Sequence, residues 1–501
     1  MLGHAETSSS AWPVFLSTAM AGVVIVMFGV DPRVGAGFLA ALLSVLVLIV
    51  RVEWLAYAVV AATVIFVDGW APTRSSDDVP FRLGIGRMYL MEFPIYLLFL
   101  AYLLRSLLGR ERRTGEGLFA NTPLDWPLRG WLIVFPVFAV YGVFLGHPAQ
   151  DALGYFEWRC LLIAILFYFL VTSLFRDSAD LEHLWQWFFL LVTAKALYSL
   201  LLFVTQIAPR WPLVFGQGPV GEGPENVMYL FAALPAISIL IFHAEELFWR
   251  RAALLFGAFV LVANIAVSEK RAPQVGLLIG LGVLGWRLPR REKIRWGLRL
   301  AGAAALALVL SAVVQSGSNK FGLEASTSRY SEIVEFVRSP GKNVTAGDTL
   351  AFHVFDIFDA WETIQQRPLL GYGFGGQTER NLSLLPMTGG NEVGTGLVHN
   401  QYLTFWLKMG IAGPLLFLWL LGSFFLYCRR RLQQEPRPIA ASVAAGICAA
   451  VWADVAMEFW GAQWISNTKN PLVIFLNLAL AVGFLNLLKR DEVPTPGGAH
   501  A

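Results

Sequence analysis

Charged residues are scarce in this chain, and cysteine is scarcer still. Asp, Glu, Lys and Arg make up 15% of the 501 residues, against about one-quarter in a typical soluble domain. This deficit excludes an ordinary soluble domain. The three cysteines, Cys160, Cys428 and Cys448, are widely separated, which argues against a disulfide framework and against the paired spacing of a zinc site.

Hydrophobic residues are abundant instead, at 56% of the chain with a mean hydropathy of +0.59. Apolar runs close to the ~20 residues that cross a bilayer recur along the sequence. We therefore predict an all-α, polytopic transmembrane helix bundle of about fourteen helices, or twelve if two of the shortest spans are wrong. The predicted spans are 13–30, 34–50, 54–70, 88–108, 129–146, 159–175, 183–207, 225–243, 251–267, 273–288, 297–315, 401–427, 437–457 and 470–488.

Lys and Arg are concentrated in alternate loops. If both termini are cytoplasmic, the inside loops and their flanks hold basic clusters at 105–113, 287–299 and 429–437, and the short outside loops hold far fewer basic residues. This asymmetry is the positive-inside pattern, and it explains the net charge of +3 without nucleic acid as a partner. We expect a multi-pass protein of a bacterial inner (cytoplasmic) membrane.

Residues 316–400 form a long segment between predicted spans, and this topology places them in the periplasm. Connections longer than ~15 residues are usually functional or disordered. Within the segment, "HVFDIFDAWETI" spaces Phe355, Phe358, Trp361 and Ile364 three residues apart, which predicts a short surface or re-entrant helix with an apolar stripe. The chain then divides into an N-terminal bundle of about eleven helices (1–315), this periplasmic loop (316–400), about three C-terminal helices (401–490) and a cytoplasmic tail (491–501).

Two motifs mark the end of this loop. "DAWETIQQRPLLGYGFGG" joins a Trp-containing helix to a Pro-x-x-Gly-x-Gly turn, and "HNQYLTFWLKMGIAG" opens a helix with a His-Asn pair and a Gly-x-x-Gly step. In this order, over residues 353–425, they resemble the signature of the bacterial O-antigen ligase and O-antigen polymerase superfamily. The residues that carry the resemblance are Trp361, Pro368, Gly371, Gly373, His399, Asn400, Gly410 and Gly413.

The resemblance implies a membrane glycosyltransferase of the GT-C type. Such an enzyme takes a glycan from an undecaprenyl diphosphate carrier on the periplasmic side and joins it to a glycan or lipid acceptor, without a metal or other cofactor. Its partners would be these substrates, membrane lipids and other polysaccharide export proteins. A count of about fourteen helices favours a polymerase, because the ligases usually have about twelve. A secondary transporter or lipid-linked glycan flippase is the alternative, although it would not need so long an external loop.

This chain departs from the family pattern at one point. Members often carry an Arg three or four residues before the Trp, where this sequence has Phe358 and Ile357. The usual phosphate ligand of the loop is therefore missing. Its possible substitutes are Arg338, Arg329 and His353.

Cleavage of a sugar–diphosphate bond requires cations at the leaving group. Lys270 and Arg271 lie at the predicted outer end of one helix, just before Pro273 at the start of the next, and a helix N-terminus favours phosphate. The same pair also fits two interfacial cations that extend to lipid headgroups. Arg159, at another outer helix start, is a second candidate. Its alternative is a local ion pair beside Glu157 that anchors the helix.

The reaction also requires a base near the acceptor hydroxyl. His399 is the candidate, because an imidazole changes charge near neutral pH; the alternative is a structural histidine at the membrane interface. Asn400 is a candidate substrate ligand or a helix cap. The motif places Trp361, Gly371 and Gly373 at the substrate as well, while the glycines by themselves indicate tight backbone turns.

Other polar residues lie at or near membrane depth. A charge there is costly and often functional, as for Lys195, but an ion pair inside the bundle would serve equally well. Asp454 and Glu458 are four residues apart and share a helix face. They are either acceptor-positioning groups or parts of a buried network with Lys195 or an outer arginine.

Overall fold

The computed structural model describes residues 52–65, 92–107, 119, 121–202, 223–243, 248–267, 271–288, 349–378, 398–433, 439–459, 464 and 469–491. Within these residues the chain forms helices joined by turns, and it forms no strand. The all-α prediction is confirmed. In chain order the helices are α1 (Val52–Ile65), α2 (Glu92–Leu107), α3 (Asp125–Phe144), α4 (Ala149–Ala152), the π-helix π1 (Tyr155–Arg159), α5 (Cys160–Leu174), α6 (Ser178–Leu202), α7 (Gly223–Phe242), α8 (Phe248–Val267), α9 (Arg271–Trp286), α10 (Thr349–Gln366), α11 (Gln401–Met409), α12 (Ala412–Leu432), α13 (Ile439–Met457) and α14 (Lys469–Asp491).

Membrane-crossing helices dominate the described part of the chain. Eight segments there are long and apolar enough to span a bilayer: Asp125–Phe144, Ala149–Leu174, Ser178–Leu201, Glu225–Phe242, Phe248–Ala266, Ala412–Leu432, Ile439–Met457 and Asn470–Leu487. Three shorter apolar helices, Val52–Ile65, Glu92–Leu103 and Ala272–Trp286, accompany them. A polytopic helical membrane protein is therefore confirmed. The predicted spans 13–30, 34–50 and 297–315 lie outside the described residues, so the count of about fourteen and the four-part division stay predictions.

Small residues bring the central helices close together. Helix α13 packs against α7, α9 and α14, and α14 packs in turn against α5. At the contact between α13 and α7, a Cβ added to Gly446 would lie 2.2 Å from Cα of Pro235. Glycine and alanine at such contacts let helix backbones approach, which is how helices associate when lipid removes the hydrophobic driving force.

The predicted span 401–427 was wrong, because two helices occupy this region. Helix α11 ends at Met409, Gly410 adopts a φ of 55°, and α12 begins at Ala412. The carbonyl oxygen of Leu369 approaches so closely that a Cβ on Gly410 would lie 2.1 Å from it. Helix α12 is long enough to cross the bilayer by itself, since its 21 residues extend about 31 Å. Helix α11 is a separate element at the end of the bundle.

The helix predicted in the long loop is confirmed as α10. Its Ala360 and Ile364 are buried against Val398 and Leu407. The predicted apolar stripe is only partly correct: Ile364 is buried in this contact, whereas Phe358 is 65% exposed.

Candidate functional site

Helices α10 and α11, with the turn between residues 367 and 378, lie at one end of the bundle. The turn contacts the C-terminal part of α3, where the amide of Phe374 donates to the Phe138 carbonyl at 3.2 Å. Helix α11 contacts the C-terminal end of α13, where the amide of Gln401 donates to the Glu458 carbonyl at 3.0 Å. Residues from α3, α10, α11 and α13 are thereby gathered at this end.

His399 immediately precedes α11, and it is paired with Asp356 of α10. Nδ1 of His399 lies 2.9 Å from Oδ2 of Asp356, and the backbone N–H of His399 donates to the same oxygen at 2.5 Å. The Asp356 side chain is 3% exposed, whereas the His399 side chain is 41% exposed. A carboxylate that accepts a hydrogen bond from Nδ1–H makes Nε2 the basic atom of a neutral imidazole. The pair therefore has the arrangement of a general base with an orienting carboxylate.

Sequence reasoning missed Asp356. The residue stands inside the "HVFDIFDAWETI" motif, 43 positions before His399. An acidic residue among the apolar residues of a loop helix was the available signal. The pairing itself depends on how α10 packs against α11, which neither motif encodes.

Asn400 caps α11, as one of the two alternatives predicted. Its Oδ1 accepts a hydrogen bond from the amide of Leu403 at 3.0 Å, and its Nδ2 donates to the carbonyl of Phe459 at 3.2 Å. The residue is 6% exposed. Asn400 thus fixes the start of α11 to the end of α13, and its role as a substrate ligand stays a prediction.

Buried polar side chains are hydrogen-bonded to one another near the start of α11. Trp464 donates its backbone N–H to Oε1 of Gln401 at 3.1 Å and its indole N–H to Oδ2 of Asp454 at 2.9 Å. Burial raises the pKa of the Tyr402 hydroxyl, and the carboxylates of Glu458 and Asp454 raise it further. The Tyr402 hydroxyl donates a hydrogen bond to the carbonyl of Val455 at 3.2 Å.

Lys195 belongs to a different part of the bundle. Its Nζ lies 3.1 Å from Oε1 of Glu225 and donates to the carbonyl of Val64 at 3.0 Å. The alternative of an ion pair inside the bundle is thus confirmed. The described partner of Asp454 is Trp464, and the described acidic partner of Lys195 is Glu225.

Arg159 closes π1 and contacts Glu92 of α2 through two nitrogen atoms. Its Nε donates to Oε1 of Glu92 at 3.0 Å, and its Nη2 donates to Oε2. Glu92 is fully buried and the Arg159 side chain is 16% exposed. Arg159 thus forms an ion pair, but the local pair predicted beside Glu157 is wrong, because Arg159 pairs with the distant Glu92 and Glu157 pairs with Lys408. A phosphate ligand at Arg159 would have to share the guanidinium with this buried carboxylate.

The glycine-rich turn closes the C-terminal end of α11. Gly371 and Gly373 have φ values of 62° and 73°, which confirms the predicted tight turns. The amides of Tyr372 and Gly373 donate to the carbonyls of Leu407 and Lys408 at 2.8 and 2.9 Å. These carbonyls belong to the last turn of α11, where no backbone N–H of the helix is positioned to donate to them. The backbone of the turn thus acts as a cap for α11.

Lys408 links the glycine-rich turn to π1, and sequence reasoning missed this residue. Its side chain is 1% exposed, with Nζ 2.7 Å from Oε2 of Glu157, and it donates to the Gly376 carbonyl at 2.6 Å. The amide of Gly375 donates to the same Glu157 oxygen at 3.0 Å. A lysine within "FWLKMG" was a signal, because a charge among apolar residues requires a partner.

Several predicted ligands have no described side chain. Lys270, Arg329 and Arg338 lie outside the described residues, as do the side chains of His353 and Arg271, although Arg271 is the first residue of α9. Trp361 is 42% exposed, and its ring lies 5.7 Å from that of Trp406 in an edge-to-face contact. Across the described ranges, no group of three or more His, Cys, Asp or Glu side chains is placed to hold a metal ion.

Comparison with known proteins identifies the segment around His399. Residues 256–418 match the O-antigen ligase family model. An uncharacterized protein of Haemophilus influenzae is 28% identical over 170 residues, which cover 32% of this chain and 39% of the relative. The match thus spans well under half the length of that relative. The family match confirms the resemblance of this segment to the O-antigen ligase and polymerase superfamily, and the apolar helices indicate a multi-pass membrane protein.

Proposed function

We propose that the protein transfers a glycan from an undecaprenyl diphosphate carrier to an acceptor hydroxyl at the periplasmic face of the inner membrane. The observation that supports this most directly is the pair of His399 and Asp356, at 2.9 Å, within the segment that matches the O-antigen ligase family. A half-exposed imidazole on a buried carboxylate is suited to taking a proton from a hydroxyl group.

In the proposed reaction, the acceptor oxygen forms a bond to the anomeric carbon as the bond from that carbon to the diphosphate oxygen breaks. Nε2 of His399 takes the hydroxyl proton, and the diphosphate leaves with the electron pair. Asp356 holds Nδ1–H and stabilises the imidazolium that forms. In this scheme protein cations, without a metal, stabilise the leaving diphosphate; we propose Arg271 and Lys270, with Arg159, Arg329 and Arg338 as further candidates.

We further propose that the acceptor is a growing polysaccharide, so that the enzyme is a polymerase and not a ligase. The basis is the predicted count of about fourteen helices. Analysis of lipid-linked intermediates after deletion tests the choice. Single repeat units accumulate when a polymerase is lost, whereas full-length lipid-linked chains accumulate when a ligase is lost.

The test of the dyad is turnover by purified protein, normalised to folded protein. We expect His399→Ala to lower turnover by on the order of 10²- to 10⁴-fold, the contribution of a positioned base. Asp356→Asn should lower it less, and should add little in the His399→Ala background, because the two side chains act as a unit. Wild-type activity should fall as the pH drops, since the protonated imidazole cannot accept a proton.

His183→Ala is the matched control. His183 is an exposed histidine near the start of α6, close to the end of α5 that lies away from the site. It should keep wild-type turnover. Near-normal turnover in His399→Ala, with a lowered melting temperature, would make His399 a structural residue. Movement of lipid-linked glycan across vesicles without transfer to an acceptor would instead support the transporter or flippase alternative.

A further inference from the structure

Two leucines form an exposed tip beside the site. Leu369 and Leu370 follow α10 after Arg367 and Pro368, and they are 71% and 58% exposed. We call these two residues the leucine tip. The backbone of this segment is hydrogen-bonded to α11 and to Ile411, so the segment is ordered. Two adjacent exposed leucines in an ordered segment indicate a contact surface.

The leucine tip continues the lipid-facing surface of α12. The carbonyl of Leu369 accepts a hydrogen bond from the amide of Ile411 at 3.3 Å. From Ile411, 37% exposed, the exposed face of α12 runs through Leu415 and Leu418, at 57% and 54%, which follow it by four and seven positions on one helical face. Because α12 is long and apolar enough to cross a bilayer, we expect acyl chains to cover this face.

Two tryptophans lie next to the leucine tip. The indole N–H of Trp406 donates to the Pro368 carbonyl at 2.8 Å, and Trp361 packs on Trp406 edge to face. Tryptophan is enriched at the depth of the lipid headgroups. The neighbouring Arg367 places its guanidinium 5.2 Å from the centre of the Tyr372 ring. The chain therefore presents a headgroup-level pattern of aromatic and basic residues beside an apolar tip.

We propose that the leucine tip inserts among the acyl chains of the bilayer leaflet at the His399 end of the bundle. The occupant is lipid, because the tip is continuous with the exposed apolar face of a helix that is long enough to cross the bilayer. The insertion fixes the depth of α11, whose last turn is bonded to the same loop and whose first turn adjoins His399. Since α11 has nine residues, this anchor lies about 14 Å along the helix from His399. The proposal does not depend on which reaction His399 performs.

Spin labelling in lipid nanodiscs tests the proposal. A nitroxide is attached to Leu370→Cys, and its collisions with oxygen, which concentrates in lipid, are compared with those of a water-soluble nickel complex. Leu418→Cys, on the exposed face of α12, is the lipid reference. Gln366→Cys, exposed at the end of α10, is the reference for water. The wild-type chain sets the background, since two of its cysteines are buried and the third is half-buried.

We expect the label at 370 to match the label at 418, with at least a several-fold higher ratio of oxygen to nickel accessibility than the label at 366. A ratio at 370 equal to that at 366 would show that water covers the tip and would overturn the proposal. Low accessibility to both reagents would show that protein covers it, which also overturns the proposal. If Leu370→Cys does not fold, Leu369→Cys carries the same test, because Leu369 is the more exposed of the two.

Discussion

At the scale of single residues, the charged groups of the site are held by partners from distant parts of the chain. Lys408 and Glu157 are 251 positions apart, yet they share one contact beneath the glycine-rich turn. A buried ammonium is stable when its carboxylate and further hydrogen bonds satisfy it, and breaking such a pair leaves an uncompensated charge. The pair therefore stabilises the loop that carries the site, and it needs no part in the chemistry.

Removal of one partner should destabilise the protein strongly. We expect Lys408→Met to lower the free energy of unfolding by about 3–5 kcal/mol, measured as a fall in melting temperature in detergent. Adding Glu157→Gln should cost less than the sum of the two single changes, because no buried charge remains unpaired. Arg129→Met is the control: Arg129 lies 3.7 Å from Asp125 and its side chain is 52% exposed, and exposed pairs contribute about 0–1 kcal/mol. Equal losses in Lys408→Met and Arg129→Met would contradict this account.

Arg271 tests the proposed diphosphate site. If its guanidinium grips phosphate, Arg271→Lys should lose much of the turnover, since a point charge does not reproduce the planar fork. Arg271→Ala should lose more, with normal membrane insertion. Full turnover in Arg271→Ala would transfer the role to Arg159, Arg329 or Arg338.

At the scale of elements, the site is built on a short helix that is capped at both ends. Asn400 caps the start of α11, and the backbone of Tyr372 and Gly373 caps its end. A nine-residue helix is marginal by itself in water, so these caps and its packing hold it in place. The position of His399 therefore depends on two capping elements of the sequence motif, Asn400 at the start of α11 and the glycine-rich turn at its end.

Two glycines at this joint should be irreplaceable. A Cβ on Gly410 would lie 2.1 Å from the Leu369 carbonyl oxygen, and one on Gly371 would lie 2.5 Å from the Gly410 nitrogen, with φ values of 55° and 62°. We expect Gly410→Ala and Gly371→Ala each to cost at least about 1–3 kcal/mol of stability from backbone strain alone. Gly422→Ala in α12 is the control, since nothing lies within 4 Å of its Cβ position. A melting temperature unchanged by Gly410→Ala would refute the close approach.

At the scale of the whole molecule, hydropathy predicted the helices well, because crossing a bilayer is a local property of a segment. The predicted spans 159–175 and 437–457 correspond to Cys160–Leu174 and Ile439–Met457. The failure at 401–427 arose because a distant carbonyl forces the break at Gly410. The sequence motifs supplied candidate site residues such as His399 and Asn400, but they did not supply the side-chain partners that the structure shows. Asp356 with His399, and Glu92 with Arg159, depend on which helices pack together, and local patterns do not contain that information.

The orientation of the molecule follows from α12 and is the prediction on which the proposed reaction depends most. Arg429, Arg430 and Arg431 lie in the last turn of this helix, and Arg287 donates to the carbonyl of Leu432 at 2.8 Å, so four basic residues gather at one end. From the positive-inside rule we predict that this end lies in the cytoplasm, and that the opposite end, with His399, lies in the periplasm. Reporter fusions after residues 113 and 431 should therefore read as cytoplasmic, and a fusion near residue 345 as periplasmic. A cytoplasmic signal at 345 would place His399 on the side of the membrane where the proposed periplasmic donor is absent. That result would refute both the predicted topology and the proposed transfer reaction.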